Sequence, residues 1–179
     1  MAEVHGTLRI AGIEPESFVD GPGIRMTIFV QGCPHHCPEC HNPQTHDFKS
    51  GHNIDIAEIL EMISENELLD GITFSGGEPF CHAAALLPLA REIRERGYHL
   101  TIYSGYTYEE LLEKSKTEPA ILELLAFANL LIDGRFIFAE KTLDVPFKGS
   151  LNQRLIDVQA TLGKDRVVLW NPGEDYKDL

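Results

Sequence analysis

Three cysteines fall within eight residues, at Cys33, Cys37 and Cys40. The stretch reads Cys33-Pro34-His35-His36-Cys37-Pro38-Glu39-Cys40-His41-Asn42-Pro43. Thiolates are soft donors that suit zinc or iron–sulfur centres. Pro34, Pro38 and Pro43 oppose a regular helix, so the backbone must wrap, and wrapping lets three sulfurs converge. A structural zinc site takes four closed ligands, and His35, His36 or His41 would have to supply the fourth. A 4Fe–4S cubane usually takes four thiolates; held by three, it keeps one iron open, and an open metal position is where substrate binds. Cys81, the one other cysteine, could complete a four-thiolate set. The plainer reading of Cys81 is a half-buried thiol at a helix start, and of the histidines, exposed loop residues.

A second candidate is Ser75-Gly76-Gly77-Glu78-Pro79. Two glycines after a strand let backbone approach a ligand closely, although a tight turn before a helix has the same composition. Ser104-Gly105 and Asp133-Gly134 end two further apolar runs.

The elements that must position these groups alternate in type. Residues 7–13, 24–30, 71–75, 99–103 and 130–133 read as strands, with a last one at 166–170. Asp20-Gly21-Pro22-Gly23 is a tight turn by composition. Ile54, Ile56, Ile59, Leu60 and Ile63 carry a helical apolar spacing with Asn53 or Asp55 as N-cap. A second helix spans 83–96, kinked at Pro88 and stopped by Gly97. Two more cover 108–114 and 119–128, the latter opened by Pro119. Short apolar strands alternating with amphipathic helices argue for βαβ units, an α/β fold with a mainly parallel sheet. In such sheets the functional loops lie beyond the carboxyl ends of the strands. The loops 32–42, 76–79 and 104–105 would then open on one edge.

The composition narrows the function. The chain has 179 residues, of which 28 are acidic and 15 are lysine or arginine, for a formal net charge of −13. So acidic a protein lacks a broad basic face for phosphates, which argues against nucleic acid as a partner, and it repels anionic membrane surfaces. No stretch approaches the roughly 20 apolar residues that span a bilayer. The first residues carry neither a basic flank nor an apolar run. The expectation is a cytoplasmic protein built as one domain over 1–179, with a frayed tail at 171–179.

The motifs carry a resemblance. C-x3-C-x2-C after one predicted strand and Ser75-Gly76-Gly77-Glu78-Pro79 after the next resemble the radical S-adenosylmethionine enzymes. Phe18-Val19-Asp20-Gly21-Pro22-Gly23-Ile24-Arg25 is similar to the activases of glycyl-radical enzymes. Gln31-Gly32-Cys33-Pro34-His35-His36-Cys37, Cys40-His41-Asn42-Pro43 and the stretch from Phe147 to Asp157 (FKGSLNQRLID) resemble the branch that activates anaerobic ribonucleoside-triphosphate reductases. The similarity spans about residues 10–156.

That resemblance implies a partial, open βα barrel holding one 4Fe–4S cluster. Cys33, Cys37 and Cys40 would each bind one iron, and the open iron would chelate the amino and carboxylate groups of S-adenosylmethionine. Reductive cleavage would give methionine and a 5′-deoxyadenosyl radical, which takes hydrogen from a glycine of the reductase. Ser75, Gly76, Gly77 and Glu78 would bind the methionine end of the cofactor. Ser104 and Asp133 would reach toward its ribose or a cation, and Gly21 and Gly23 would lie near the partner's glycine loop. For Arg25 a partner contact and a paired structural role stand side by side. Glu39 replaces the aromatic residue common before the third cysteine, so the adenine contacts fall to Glu39, His41, Asn42 and backbone. The partners implied are the reductase and a small electron donor such as flavodoxin. The competing readings are an activase of another glycyl-radical enzyme, such as pyruvate formate-lyase, and a zinc-stapled binding module.

Overall fold

The structure, a computed structural model, describes residues 5–164 and 166–172. The chain opens with a hairpin of β1 (Thr7–Ser17) and β2 (Arg25–Val30), and β3 (His52–Asp55) follows the cysteine loop. Then come α1 (Ile56–Glu65), β4 (Gly71–Gly76), α2 (Ala83–Glu95), β5 (His99–Ser104), α3 (Tyr108–Ser115) and α4 (Pro119–Phe127). The described part closes with β6 (Leu130–Asp133), β7 (Arg154–Asp157) and α5 (Val158–Leu162). The seven strands form one sheet in the order β3-β1-β2-β4-β5-β6-β7. The pairs β2–β4, β4–β5 and β5–β6 are parallel. Both flanks, β3–β1–β2 and β6–β7, are antiparallel.

The central strands are buried on both faces, as parallel strands covered by crossover helices must be. Ile72 and Phe74 on β4, Leu100 and Ile102 on β5, and Leu130, Leu131 and Ile132 on β6 are all inaccessible to solvent. The helices cover them with one apolar stripe each: Ile56, Ile59, Leu60 and Ile63 on α1, and Leu86, Leu89, Ala90 and Ile93 on α2. Pro88 lies inside α2, which runs on through it to Glu95. Gly97 then takes φ +83°, and Tyr98 N–H donates to Ile93 O, a left-handed cap that ends the helix. Thr107 and Glu110 form a reciprocal capping box on α3.

Arg25 is completely buried at the start of β2. It donates to Thr73 Oγ1 (2.7 Å) and to the carbonyls of Pro22 (2.6 Å), Ile72 (2.7 Å) and His99 (2.7 Å). The guanidinium therefore ties the Asp20–Gly23 turn to β4 and β5. Of the two roles open to Arg25, this is the structural one.

The strand expectations need three corrections. β1 runs to Ser17, beyond its apolar part, because pairing with β2 continues the ladder through two register shifts. β3, a polar edge strand of sequence HNID, carries no hydrophobic signal. Residues 166–170 form no strand: Leu169 makes one isolated bridge to Ile156, and β7 supplies the edge beside β6. The sheet is thus parallel in its four central strands and antiparallel at both flanks. The tail expected at 171–179 lies outside the described residues from 173 on.

Candidate functional site

The carboxyl ends of β2, β4, β5 and β6 meet at one edge of the sheet. They open into a cavity of about 260 Å³ whose wall includes Cys33, Cys37 and Cys40 from the first loop, Ser75, Gly76 and Gly77 from the second, and Ser104 and Gly105 from the third. The parallel register places them together. Successive parallel strands present the same end to the same side, whatever their separation in sequence.

The cysteine loop is fastened at its base. Gly32 N–H donates to Thr45 O (2.8 Å) and Cys33 N–H to His46 O (3.1 Å). Gln31, nearly inaccessible, donates from Nε2 to Gln44 O (3.0 Å) and Asp47 O (2.7 Å). Between the thiols, His36 (φ +47°) and Glu39 (φ +55°) adopt left-handed conformations. Those two reversals let a short segment turn its sulfurs to one side.

Gly76, the last residue of β4, and Gly77 serve this loop directly. A Cβ at Gly77 would strike the backbone of Gly32, and one at Gly76 (φ +91°) the backbone of Phe29. Without those side chains, Gly77 N–H reaches Val30 O (2.8 Å) and Glu78 N–H reaches Gly32 O (2.9 Å).

Burial, the Glu78 charge and the neighbouring thiols push Cys33 up to about 11, against the lowering effect of a hydrogen bond from the backbone at His35. Burial raises Cys37 as well, with Cys40 adding to it. Two of the three thiols that share the cavity, Cys33 and Cys37, disfavour their charged forms, and a cationic centre that deprotonates its thiol ligands resolves that conflict. The donor set fits a thiolate-ligated iron–sulfur cluster. Among the described residues, no three His, Cys, Asp or Glu side chains converge closely enough for a single metal ion. A cubane offers each thiol a different iron and so asks for wider spacing than a tetrahedral ion.

The expected site residues divide into two groups. His41, Asn42, Ser75, Gly76, Gly77 and Ser104 lie on the cavity wall with the thiols. Glu78, Asp133 and Glu39 do not. Glu78 is inaccessible to solvent: Oε1 accepts from Phe80 N (3.1 Å) and Ser104 Oγ (2.9 Å), and Oε2 from Gly105 N (2.8 Å) and His35 Nε2 (2.8 Å). Asp133 accepts from Arg154 Nε (3.0 Å) and from Tyr108 N–H (2.7 Å) at the start of α3. Its neighbour Gly134 is on the wall instead. Glu39 is exposed at its turn. Cys81 lies in the 3-10 turn Pro79–His82, off the wall, and is exposed to solvent, not half-buried.

Asp20, His35 and His46 also line the cavity, and so do Tyr103, Phe136, Phe147, Lys148, Gly149 and Gln153, to which the sequence assigns no site role. Most belong to the long connection between β6 and β7, where no periodic pattern marks them; the polar run Gly149-Ser150-Leu151-Asn152-Gln153 was the one available signal.

Comparison with known proteins shows the family. A family described as "4Fe-4S single cluster domain" matches residues 19–156. The anaerobic ribonucleoside-triphosphate reductase-activating protein of Escherichia coli K12 is 32% identical over 147 residues, covering 78% of this chain and 92% of that protein. The chain belongs to the family of anaerobic ribonucleoside-triphosphate reductase-activating proteins. Members from Haemophilus influenzae (30% identity, 78% of this chain, 91% of that protein) and other bacteria match over the same share. The family consists of activating enzymes, so the protein is an enzyme, and the zinc-stapled module is set aside. The pyruvate formate-lyase-activating enzyme of Clostridium pasteurianum is 38% identical over 114 residues, 59% of this chain and 48% of that enzyme. Among solved structures, QueE from Escherichia coli superposes at a TM-score of 0.46 and 20% identity, over 56% of this chain and 53% of that one. Among the described residues no helix is long and apolar enough to cross a membrane.

Proposed function

We propose that the protein activates an anaerobic ribonucleoside-triphosphate reductase by a radical reaction at this cavity. Cys33, Cys37 and Cys40 hold one 4Fe–4S cluster, and S-adenosylmethionine lies along the wall formed by Ser75–Gly77 and Ser104, with its adenine toward His41 and Asn42. The cluster, when bound, supplies a low-potential electron drawn from a one-electron donor such as flavodoxin. One electron and S-adenosylmethionine give methionine and a 5′-deoxyadenosyl radical. That radical takes a hydrogen atom from a glycine Cα of the reductase, leaving 5′-deoxyadenosine and a glycyl radical. The chain's own residues orient the cofactor and exclude water and stray hydrogen donors. In this reading the sheet curves as a partial barrel whose open side admits the glycine, in a single domain.

The observation that carries this reading is the meeting of all three thiols with Ser75–Gly77 in one cavity. The reductase is favoured over pyruvate formate-lyase by coverage: the match spans 92% of the first relative and 48% of the second. The test is anaerobic reconstitution with iron and sulfide, followed by dithionite and S-adenosylmethionine. Formation of 5′-deoxyadenosine supports the chemistry; near-stoichiometric zinc without labile sulfide overturns it. Electron paramagnetic resonance of a glycyl radical on each candidate partner decides between them.

A further inference from the structure

Two buried side-chain nitrogens lack a hydrogen-bond partner among the described residues, His46 Nε2 and His82 Nε2. Of the two residues, His46 lines the cavity together with Cys33, Cys37 and Cys40, and His82 does not. A ring nitrogen is an obligate donor or acceptor, and a buried one left unmatched is costly unless something outside the chain meets it. At His46 that partner has to come from what the cavity holds.

His46 is fastened to the thiol-bearing loop. Four consecutive carbonyls are tied to the residues that lead into the first cysteine. Gln44 O and Asp47 O accept from Gln31 Nε2 (3.0 and 2.7 Å), Thr45 O from Gly32 N–H (2.8 Å) and His46 O from Cys33 N–H (3.1 Å). The 3-10 turn Pro43–Thr45 ends at His46, whose own N–H donates to Pro43 O (3.2 Å). The His46 ring meets that of His36 edge-on, with centroids 5.0 Å apart, and His36 directly precedes Cys37. The backbone of His46 is thus bonded to one thiol residue, and its ring packs on the neighbour of a second. So fixed, the ring keeps its place relative to the sulfurs whatever the other loops of the wall do.

We propose that His46 Nε2–H donates a hydrogen bond to a sulfur of the cluster held by Cys33, Cys37 and Cys40, and that this bond raises the cluster's reduction potential. This rests on the proposed function, which names the cluster. Sulfides and thiolates accept and have no proton to give, so the group that matches them is a donor. Nε2 carries a proton in the imidazolium and in one neutral tautomer, so the assignment does not depend on the charge of the ring. Reduction adds a negative charge to the cluster. A donor at sulfur therefore favours the reduced form, and hydrogen bonds to the sulfurs are among the levers that set such potentials. His46 is then a tuning residue that touches the cluster without ligating iron.

Two measurements on the anaerobically reconstituted protein, both without S-adenosylmethionine, test this apart from turnover. Protein-film voltammetry reads the potential of wild type, His46→Phe and His46→Gln. His46→Phe keeps a ring and loses the donor, so the one-electron equilibrium should shift about tenfold against reduction, which is about 59 mV for one electron. His46→Gln carries an amide N–H at a similar reach and should recover most of that shift. An unchanged potential in His46→Phe overturns the proposal, and so do equal shifts in both variants, which mean a structural role. The second measurement needs only the wild type, labelled with nitrogen-15 histidine. Pulsed electron paramagnetic resonance of its reduced cluster should show a weakly coupled histidine nitrogen and a coupled proton that disappears in deuterium oxide. Absence of both overturns the proposal, even where the variants assemble no cluster; a coupling that survives in His46→Phe overturns it as well. A coupling as strong as direct iron–nitrogen ligation overturns it in favour of a fourth protein ligand. Failure of the wild type to assemble a 4Fe–4S cluster overturns the proposed function itself, an outcome distinct from a cluster whose potential ignores His46.

Discussion

His35 Nε2 stands 2.8 Å from Glu78 Oε2, joining the loop that carries the thiols to the loop that follows β4. His35 lies between Cys33 and Cys37 in sequence, while Glu78 also takes Ser104 Oγ and Gly105 N–H from the loop after β5. One buried carboxylate thus gathers three strand-end loops. The His35 ring packs edge-on against Tyr106 at 4.4 Å, and a Cβ at Gly105 would land on that ring.

Glu78→Gln puts an amide donor beside Phe80 N–H, Gly105 N–H and Ser104 Oγ–H, which all donate to the carboxylate. Leaving buried donors unmatched costs about 1–3 kcal/mol, so urea denaturation of the metal-free protein should show a loss of that size. His35→Ala and Gly105→Ala should each lower iron content after reconstitution, and the double variant should be no worse than the more severe single one. Additive losses would mean that Gly105 does not act through His35.

Cys33→Ala, Cys37→Ala and Cys40→Ala should each abolish stable iron and sulfide incorporation. Cys81→Ser should retain both, because Cys81 lies off the cavity wall. Iron and labile-sulfide analysis after anaerobic reconstitution checks the four variants, and loss of the cluster in Cys81→Ser would change the ligand set.

Asp133 is 1% exposed and engaged by Arg154 and the α3 backbone. Arg154→Gln removes the cation from a buried carboxylate, and destabilisation of about 2 kcal/mol or more is expected. Asp133→Asn should lower the melting temperature while leaving the affinity for S-adenosylmethionine unchanged. A fall in affinity with an unchanged melting temperature would make Asp133 a ligand contact.

His99 is held down to about 3 by burial, with the Arg25 and Arg94 charges adding to it. Its Nδ1 lies 3.2 Å from the Arg25 guanidinium, which can only donate, so the folded state needs that nitrogen unprotonated. A base with a lowered folded pKa binds fewer protons folded than unfolded. Its stabilisation is complete above the unfolded value near 6.5 and is lost as pH falls through about 3. The loss between those limits reaches up to about 1.4 kcal/mol per pH unit. His99→Asn keeps an acceptor without the titration, so its stability should fall less steeply with acid than that of the wild type in parallel urea titrations from neutral to acidic pH. Identical slopes would remove His99 from the acid response.

Much of the fold was legible because its central strands announce themselves. Runs such as Ile72-Thr73-Phe74 and Leu130-Leu131-Ile132 are apolar on both faces, and Gly97 and the Thr107–Glu110 pair mark helix ends with local chemistry. β3 and β7 escaped because an edge strand need bury little, and the pairing that creates it comes from distant residues. The tryptophan at the end of 166–170 is buried, yet that segment bridges to β7 through one pair instead of extending the sheet.

The order of residues alone determined the candidate donors: three thiols at a spacing broken by prolines, two glycines at a strand end, and flanks that resemble a known family. Covalent sequence fixes such local chemistry because it lies within one loop. Only the tertiary structure decided which acids lie on the cavity wall and which are bound up behind it. Glu78 and Asp133 look like ligand residues in one dimension, but folding surrounds each with protein donors, and a buried carboxylate already satisfied has little left to offer a ligand.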